Sequence, residues 1–247
     1  RYPARCGEGQ WPVAYQDPSS YAARALEGLW RSTGGALTGR VREGLVPPTA
    51  TLLFEASSLP LSEILLDVNQ WSNNVMAQQV FLTLGQLSPQ ATPLAGSGPL
   101  PLPRGNFERS RSAVQAWWKR TFGPSVPAPV LDNGSGLSRD ERITPEALAL
   151  LLRHAARHPK AEAFVGSLAV AGVNGTARRY AASERSPVYG NALLKTGTLR
   201  DVSGVAGYVN AVNGTRYVVV AFVNHPNAPA ARTALEALVE WTARLPD

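Results

Sequence analysis

Apolar residues recur at three- and four-residue intervals in seven segments of the chain, as they do along the buried face of an amphipathic helix. The predicted helices cover residues 20–31, 60–68, 75–84, 107–122, 144–158, 161–169 and 230–245. Thr144-Pro145-Glu146 is a typical start, with a hydroxyl cap, a proline at the first helical position and an acid near the positive end of the dipole. Gly123 is a typical end.

The pattern changes to β-strands from Leu193 onward. Strands are predicted at 193–199, 202–212 and 215–223, and Asn213-Gly214 between the last two is a strong hairpin signal. Two earlier extended stretches, 36–42 and 49–55, are separated by Pro47-Pro48, which cannot sit inside a paired central strand. Helices, then an antiparallel sheet, then a closing helix indicate an α+β fold.

Residues 86–106 are rich in Pro, Gly and Ser and show no periodicity. Such a segment can be a linker between two domains or an irregular surface connection within one. We favour the connection, because long loops in compact domains, although uncommon, are often functional. One domain over residues 1–247 is therefore expected.

Composition excludes several classes of protein. The hydrophobic content of 44% suffices for a substantial core, and the apolar runs are far shorter than the roughly 18 residues of a membrane span. The formal charge of +6 comes from scattered arginines with only three lysines, so nucleic-acid binding is not expected. A single cysteine, Cys6, excludes an internal disulfide. Because no initiating Met or targeting pattern is present, we expect the chain to begin part-way through a longer gene product.

Candidate chemistry lies on the first long strand, in Lys195-Thr196-Gly197-Thr198. Strand alternation sends Lys195 and Gly197 to one side and the two threonines to the other. Glycine weakens a strand interior and often marks close approach of a ligand or another backbone, and an ammonium beside hydroxyls can bind a carboxylate. Taken alone, the segment is equally consistent with an ordinary strand that carries one exposed lysine.

Ser72-Asn73-Asn74 lies at the junction of two predicted helices, where side chains can point into a cleft. In isolation this tripeptide would be interpreted as a helix cap. It also fits the Ser-x-Asn motif that accompanies Lys-Thr-Gly in penicillin-binding proteins and β-lactamases. The two motifs occur here in the required order.

Longer segments extend the resemblance. Leu131-Asp132-Asn133-Gly134-Ser135-Gly136-Leu137-Ser138-Arg139, Gly172-Val173-Asn174-Gly175-Thr176 and residues 194–208 resemble the D-alanyl-D-alanine carboxypeptidase/endopeptidases of the class C low-molecular-mass penicillin-binding proteins. The similarity covers most of residues 51–223, although aspartate is common in the family where Asn133 and Asn174 stand. The resemblance implies a penicillin-binding protein/β-lactamase-like transpeptidase fold, in which helices flank an antiparallel sheet.

The resemblance implies roles for the matching residues. Ser72 would relay a proton between the nucleophile's lysine partner and the leaving amine, and Asn74 would hydrogen-bond the peptide amide of the substrate. The segment Lys195-Thr196-Gly197-Thr198 would face the substrate terminus, with its hydroxyls on the terminal carboxylate and the Thr198 N–H forming half of an oxyanion hole. Periplasmic peptidoglycan stem peptides and β-lactam antibiotics are the implied ligands, and no cofactor or metal is implied.

The family's nucleophile lies in Ser-x-x-Lys, which places an amine one helical turn from the serine hydroxyl. Three positions before the lysines of this chain, Lys119, Lys160 and Lys195, stand Ala116, Arg157 and Ala192. In the family that motif is N-terminal to everything seen here, so we expect the missing N-terminal part of the same protein to supply it and this chain to be inactive alone. The leading hypothesis is a serine-type D-Ala-D-Ala carboxypeptidase, with DD-endopeptidase activity left open. A degenerate peptidoglycan-binding homologue and a β-lactamase are the alternatives.

Other candidate sites are weaker. His154 and His158 are four residues apart on a predicted helix and could hold a metal, but without a third ligand we expect exposed residues near a helix end. Trp117 and Trp118 could stack on carbohydrate, but at least one of them is expected in the core.

Overall fold

The computed structural model describes residues 7, 16–87, 105–181 and 183–246. The chain divides into two compact units, a small one of residues 1–51 with 96–99 and a larger one of residues 52–95 with 100–247. Most of the connection predicted at 86–106 lies outside the described residues. The expectation of one domain over residues 1–247 stays a prediction.

The small unit contains helix α1 (Pro18–Ser32), close to the predicted 20–31. Proline near the start suits the first helical turn because its φ is already helical. The helix ends just before Gly34, whose φ is +86°. The stretches predicted as extended at 36–42 and 49–55 form no strand among the described residues.

Six α-helices are described in the larger unit. They are α2 (Leu61–Trp71), α3 (Asn74–Gln86), α4 (Phe107–Phe122), α5 (Pro145–Ala155), α6 (Ala161–Val165) and α7 (Arg232–Ala243). Thr144 Oγ1 accepts from Ala147 N at 3.1 Å, which confirms the predicted cap of α5. Among the described residues, no helix is long and apolar enough to cross a membrane.

The helix predicted at 161–169 is wrong in its second half. Ser167 Oγ donates to the Phe164 carbonyl at 2.6 Å and accepts from Asn69 Nδ2 at 2.6 Å. A side-chain bond to a nearby backbone carbonyl competes with continuation of the helix. The residues that follow form strand β1 (Ala169–Val170) instead.

Within the described residues, four antiparallel strands form one sheet in the order β1-β2-β3-β4. The three longer strands are β2 (Ala192–Leu199), β3 (Val202–Asn210) and β4 (Arg216–Asn224). The predicted hairpin joins β3 to β4, with Gly214 at a φ of +77°. At the hairpin the ladder closes at the pair Asn210 and Arg216, so β3 ends two residues before its predicted end and β4 begins one residue after its predicted start.

Helices cover both faces of this sheet. On one face, Leu194 and Val205 pack in a buried cluster with Val239 of α7. On the other face, Tyr208 packs with Leu152 of α5 and donates from its hydroxyl to the Leu152 carbonyl at 2.7 Å. Burying an aliphatic side chain of this size stabilises a fold by roughly 1.5–3 kcal/mol. The α+β prediction is confirmed, and the central strands are held from both sides.

The second half of β2 has an open outer edge. The two residues of β1 pair only with the first half of β2, so no described strand covers residues 195–199 on that side. On the β1 side, the Ala192 carbonyl accepts from Ala171 N at 2.9 Å. Alternate residues of an antiparallel strand direct their N–H and C=O groups to the same side. The backbone groups of Thr196 and Thr198 therefore face the open edge.

Candidate active site

Ser72 follows α2 in a left-handed backbone conformation. Its φ is 55° and its ψ is 48°, and in the described part of the chain it is the single non-glycine residue with positive φ. This conformation costs an L-residue roughly 1–2 kcal/mol. At a helix end, the residue that adopts it is usually glycine. The strained turn separates α2 from α3 and leaves the Ser72 hydroxyl available to the sheet.

Lys195 of β2 contacts the Ser72 hydroxyl. Its Nζ donates to Ser72 Oγ at 2.6 Å and to the Thr196 carbonyl at 2.6 Å. Burial lowers the pKa of the Lys195 ammonium, because the charged form loses hydration. The fold thus brings together the two sequence motifs, whose contacting residues are 123 positions apart.

The two asparagines after Ser72 have different partners. Asn73 Oδ1 accepts from Met76 N at 3.1 Å and caps α3, so the interpretation of the motif as a helix cap is correct for its middle residue. Asn74 Nδ2 donates to the Ser135 carbonyl at 2.6 Å. Asn74 is thereby fastened to residues 131–139, hereafter the cleft loop.

Side-chain hydrogen bonds hold the cleft loop in shape. Asn133 Oδ1 accepts from the Ser135 N–H at 3.0 Å and from its hydroxyl at 2.6 Å. Glu141 Oε1 accepts from two backbone N–H groups of the loop, at 3.1 and 3.2 Å. Arg139 forms an ion pair with Asp201 at the β2–β3 turn. An aspartate at position 133 would offer the same acceptor oxygens, so asparagine there preserves the turn.

Gly197 leaves open space on the side of β2 that carries Lys195. It pairs with Gly204 of β3, and a methyl group added at Gly197 would meet no atom within 4 Å. The Thr196 hydroxyl is hydrogen-bonded to the Thr176 hydroxyl at 2.9 Å. The space over Gly197 is therefore not filled by a neighbouring backbone, and a ligand can reach the strand.

One cleft of about 500 Å³ joins these elements. It is lined by all six predicted site residues, which are Ser72, Asn74, Lys195, Thr196, Gly197 and Thr198. The charged side chains of its described lining are Lys195 and Arg179, both cationic, with no carboxylate among those residues. A cleft with this charge favours an anionic ligand.

The cleft also contains two polar residues from an element that the predicted set does not include. Thr176 and Arg179 lie on the 3₁₀ helix Gly175–Tyr180, which the sequence pattern does not predict. The sequence offers only a weak signal that these two residues belong to the cleft. Thr176 ends one of the segments that resemble the family, and Arg179 follows that segment closely. Exposed arginines are usually solvated surface residues, so the sequence alone does not separate Arg179 from the other arginines.

The weaker candidates lie outside this cleft. His154 is exposed, and its ring packs edge-on against Trp117 and Phe122, with centroids 5.9 and 5.4 Å away. Among the described residues, no group of three or more potential metal ligands occurs. Trp118 is 1% exposed, which confirms that one of the paired tryptophans belongs to the core.

Comparison with known proteins decides which family has these features. Residues 2–245 match the sequence profile of the D-Ala-D-Ala carboxypeptidase 3 (S13) family. The chain belongs to this family. The match includes both motifs, the cleft loop and the 3₁₀ helix, and it confirms the family predicted from the motifs.

Two relatives show how much of a family member this chain represents. The D-alanyl-D-alanine carboxypeptidase of Actinomadura sp. (strain R39) is 30% identical over 229 residues, which are 89% of this chain and 39% of that protein. D-alanyl-D-alanine carboxypeptidase DacB of Haemophilus influenzae is 26% identical over 214 residues, which are 85% of this chain and 41% of that protein. The chain therefore spans about two fifths of the length of these relatives.

Solved structures agree on the fold. Penicillin-binding protein 4 (dacB) of Haemophilus influenzae matches with a TM-score of 0.76 at 22% identity, over 94% of this chain and 53% of that one. A predatory endopeptidase of Bdellovibrio bacteriovorus matches with a TM-score of 0.55 at 16% identity, over 94% of this chain and 62% of that one. The predicted penicillin-binding-protein fold is confirmed.

Proposed function

We propose that this chain forms the substrate-binding wall and the proton relay of a serine-type D-Ala-D-Ala carboxypeptidase acting on peptidoglycan stem peptides. The observation that carries the proposal is the 2.6 Å contact of Lys195 Nζ with Ser72 Oγ, inside a cleft whose described charges are cationic. A stem peptide ends in a carboxylate, which an ammonium and hydroxyls bind well. The names of the relatives support the same activity.

In the proposed complex, the peptide runs along the open edge of β2 with its terminal carboxylate on the hydroxyls of Thr196 and Thr198. A strand edge binds an extended peptide through main-chain hydrogen bonds, and neighbouring side chains set the specificity. The Nδ2 of Asn74 is held by the Ser135 carbonyl. Its Oδ1 is therefore the atom that accepts the N–H of the substrate.

The reaction transfers the acyl group of the penultimate D-alanine first to a serine and then to water. The serine oxygen bonds to the carbonyl carbon, the serine proton passes to a neighbouring lysine, and the C–N bond breaks as the leaving amine takes a proton through Ser72. Water then cleaves the acyl-enzyme, which releases the shortened peptide and regenerates the serine. The Thr198 N–H at the open edge supplies one donor for the developing oxyanion.

The nucleophile belongs to a Ser-x-x-Lys motif in the N-terminal part of the same protein. No lysine of this chain has a serine three positions earlier. In this proposal, residues 1–247 form the C-terminal part of one penicillin-binding domain, and the complete site needs both parts. The protein acts in the periplasm, where its peptidoglycan substrate lies.

The same acylation of the serine accounts for two further reactions. β-Lactams carry a reactive amide carbonyl close to a carboxylate, so they acylate the serine and bind as substrate analogues. DD-endopeptidase activity differs from carboxypeptidase activity only in the leaving amine, which comes from a cross-linked peptide instead of a terminal D-alanine.

A fluorescent penicillin tests the proposal on the full-length gene product, which should become covalently labelled. A folded, full-length protein that stays unlabelled would contradict an enzyme and favour a degenerate homologue that holds stem peptides without cutting them. Rapid drug hydrolysis without release of D-alanine from stem pentapeptides would favour a β-lactamase. The isolated 247-residue chain should stay unlabelled, and labelling of that chain would mean that the nucleophile lies within it.

A further inference from the structure

Thr176 lies between the two motifs of the cleft. Its Oγ1 is 2.9 Å from Thr196 Oγ1. The 3₁₀ helix that carries Thr176 contacts both α2, which ends next to Ser72, and β2, which carries Lys195 and Thr196. Through the Thr176 side chain, the 3₁₀ helix thus contacts the hydroxyl of Thr196, which is the proposed carboxylate-binding group.

Two constraints fix the backbone just before Thr176. Asn174 Oδ1 accepts from Val170 N of β1 at 2.7 Å. Gly175 has a φ of +53°, and a Cβ built on it would lie 2.5 Å from the Gln70 carbonyl oxygen of α2. The backbone at this point cannot move without disturbing β1 or α2, so the Thr176 hydroxyl is held in place.

We infer that Thr176 is a positioning residue for the carboxylate-binding hydroxyl of Thr196. Each hydroxyl has one proton to donate and can also accept. In the structure, Thr196 Oγ1 donates to Thr176 Oγ1. When an anionic ligand accepts the Thr196 proton, the Thr176 hydroxyl turns and donates to Thr196 Oγ1 instead, and the bond to the ligand is strengthened by polarisation along the chain. Among the described residues, no other hydrogen bond orients the Thr196 hydroxyl. The inference rests on the proposed function, since it requires an anionic terminus at Thr196.

Thr176→Val keeps the shape of the side chain and removes its hydroxyl. In the full-length protein, we expect acylation by benzylpenicillin to become about three- to tenfold slower, which corresponds to one lost hydrogen bond. Thr176→Ser should restore most of the rate, because the hydroxyl returns. Thr215→Val is the matched control, since Thr215 is exposed on the β3–β4 turn, and it should leave the rate unchanged.

Acylation by the methyl ester of benzylpenicillin distinguishes a positioning role of Thr176 from a general structural role. Because the ester has no anionic carboxylate, the valine variant and the wild type should react with it at nearly the same rate. An equal loss with acid and ester, or no loss with the acid, would overturn the inference while the proposed function stands. Wild-type protein that benzylpenicillin does not acylate would overturn both. Should the valine variant fail to fold, Thr176→Ala removes the same hydroxyl with less bulk and is compared in the same way.

Discussion

Lys195 Nζ lies 2.6 Å from Ser72 Oγ, although the lysine belongs to the middle of a strand and the serine to the end of a helix. Burial lowers the pKa of this lysine, and no carboxylate stands beside it in the described lining of the cleft. Lysines are rarely buried unless they are paired with an acid. A poorly hydrated ammonium next to a hydroxyl suits a site that receives an anion and moves a proton.

The lowered pKa of Lys195 predicts where acylation declines at alkaline pH. The ammonium form attracts the ligand carboxylate, so the acylation rate should fall as the pH rises through the pKa of Lys195. Because burial lowers that pKa, the decline should lie below 10.5, the ordinary value. The rate of acylation of the full-length protein by benzylpenicillin, measured across the neutral and alkaline range, checks the prediction.

Lys195→Arg is the matched variant for this titration, because a guanidinium stays protonated throughout that range. At neutral pH its rate should be lower than that of the wild type, since a planar guanidinium replaces a compact ammonium, but the alkaline decline should disappear. An unchanged alkaline decline of the acylation rate in the arginine variant would assign the titration to another group.

The stability of the wild-type protein has the opposite pH dependence. Because the folded-state pKa of Lys195 lies below the unfolded-state pKa, the free energy of unfolding rises with pH between these two values.

The left-handed backbone at Ser72 predicts an order of stability for two variants. Ser72→Ala and Ser72→Gly both remove the hydroxyl that contacts Lys195, but only glycine relieves the steric cost of a φ of 55°. Ser72→Gly should therefore be more stable than Ser72→Ala by about 1 kcal/mol. Urea denaturation of the two variants measures the difference. Equal stabilities would mean that residue 72 leaves the left-handed region once the hydroxyl is absent.

The sheet that carries Lys195 can be predicted because its signals are local. Each longer strand coincides with a run of strand-forming residues, and Asn213-Gly214 marks the hairpin. Strand β1 cannot be predicted in the same way, because two residues carry too little periodicity to distinguish a strand from a continuing helix. The bond from Ser167 Oγ to the Phe164 carbonyl, which lies just after the end of α6 at Val165, has no sequence signature of its own.

Motif order and family resemblance identify candidate residues, but they do not give the geometry of the cleft. The contact of Ser72 with Lys195 depends on how α2 packs beside the sheet. Nothing in Ser-Asn-Asn indicates a left-handed serine, since glycine is the usual signal for that conformation. Thr176 reaches Thr196 from a 3₁₀ helix, an element too short to leave an apolar period in the sequence.

The open space over Gly197 predicts a variant that folds but reacts poorly. Gly197→Ala adds a methyl group that meets no atom within 4 Å, so stability should stay the same or rise by up to about 0.5 kcal/mol. The methyl group occupies space that the ligand needs, and acylation should slow markedly. Gly214→Ala should behave in the opposite way, because a φ of +77° on the β3–β4 turn strains alanine while the cleft stays intact. Melting temperatures and acylation rates of both variants test this contrast, and normal acylation of Gly197→Ala would separate Gly197 from the site.

The neighbouring asparagines of the Ser-x-Asn motif should respond differently to the same substitution. Asn73 accepts a hydrogen bond from Met76 N, and an aspartate at position 73 would still accept it. Asn74 donates a hydrogen bond to the Ser135 carbonyl, and an aspartate at position 74 could not donate. Both substitutions add a negative charge at the start of α3, so the favourable interaction with the helix dipole is similar in the two variants. Asn74→Asp should therefore be less stable than Asn73→Asp by about 1–3 kcal/mol, the cost of leaving a carbonyl without its partner. Denaturant titrations of the two full-length variants measure this difference, and equal stability would mean that Asn74 does not hold the cleft loop.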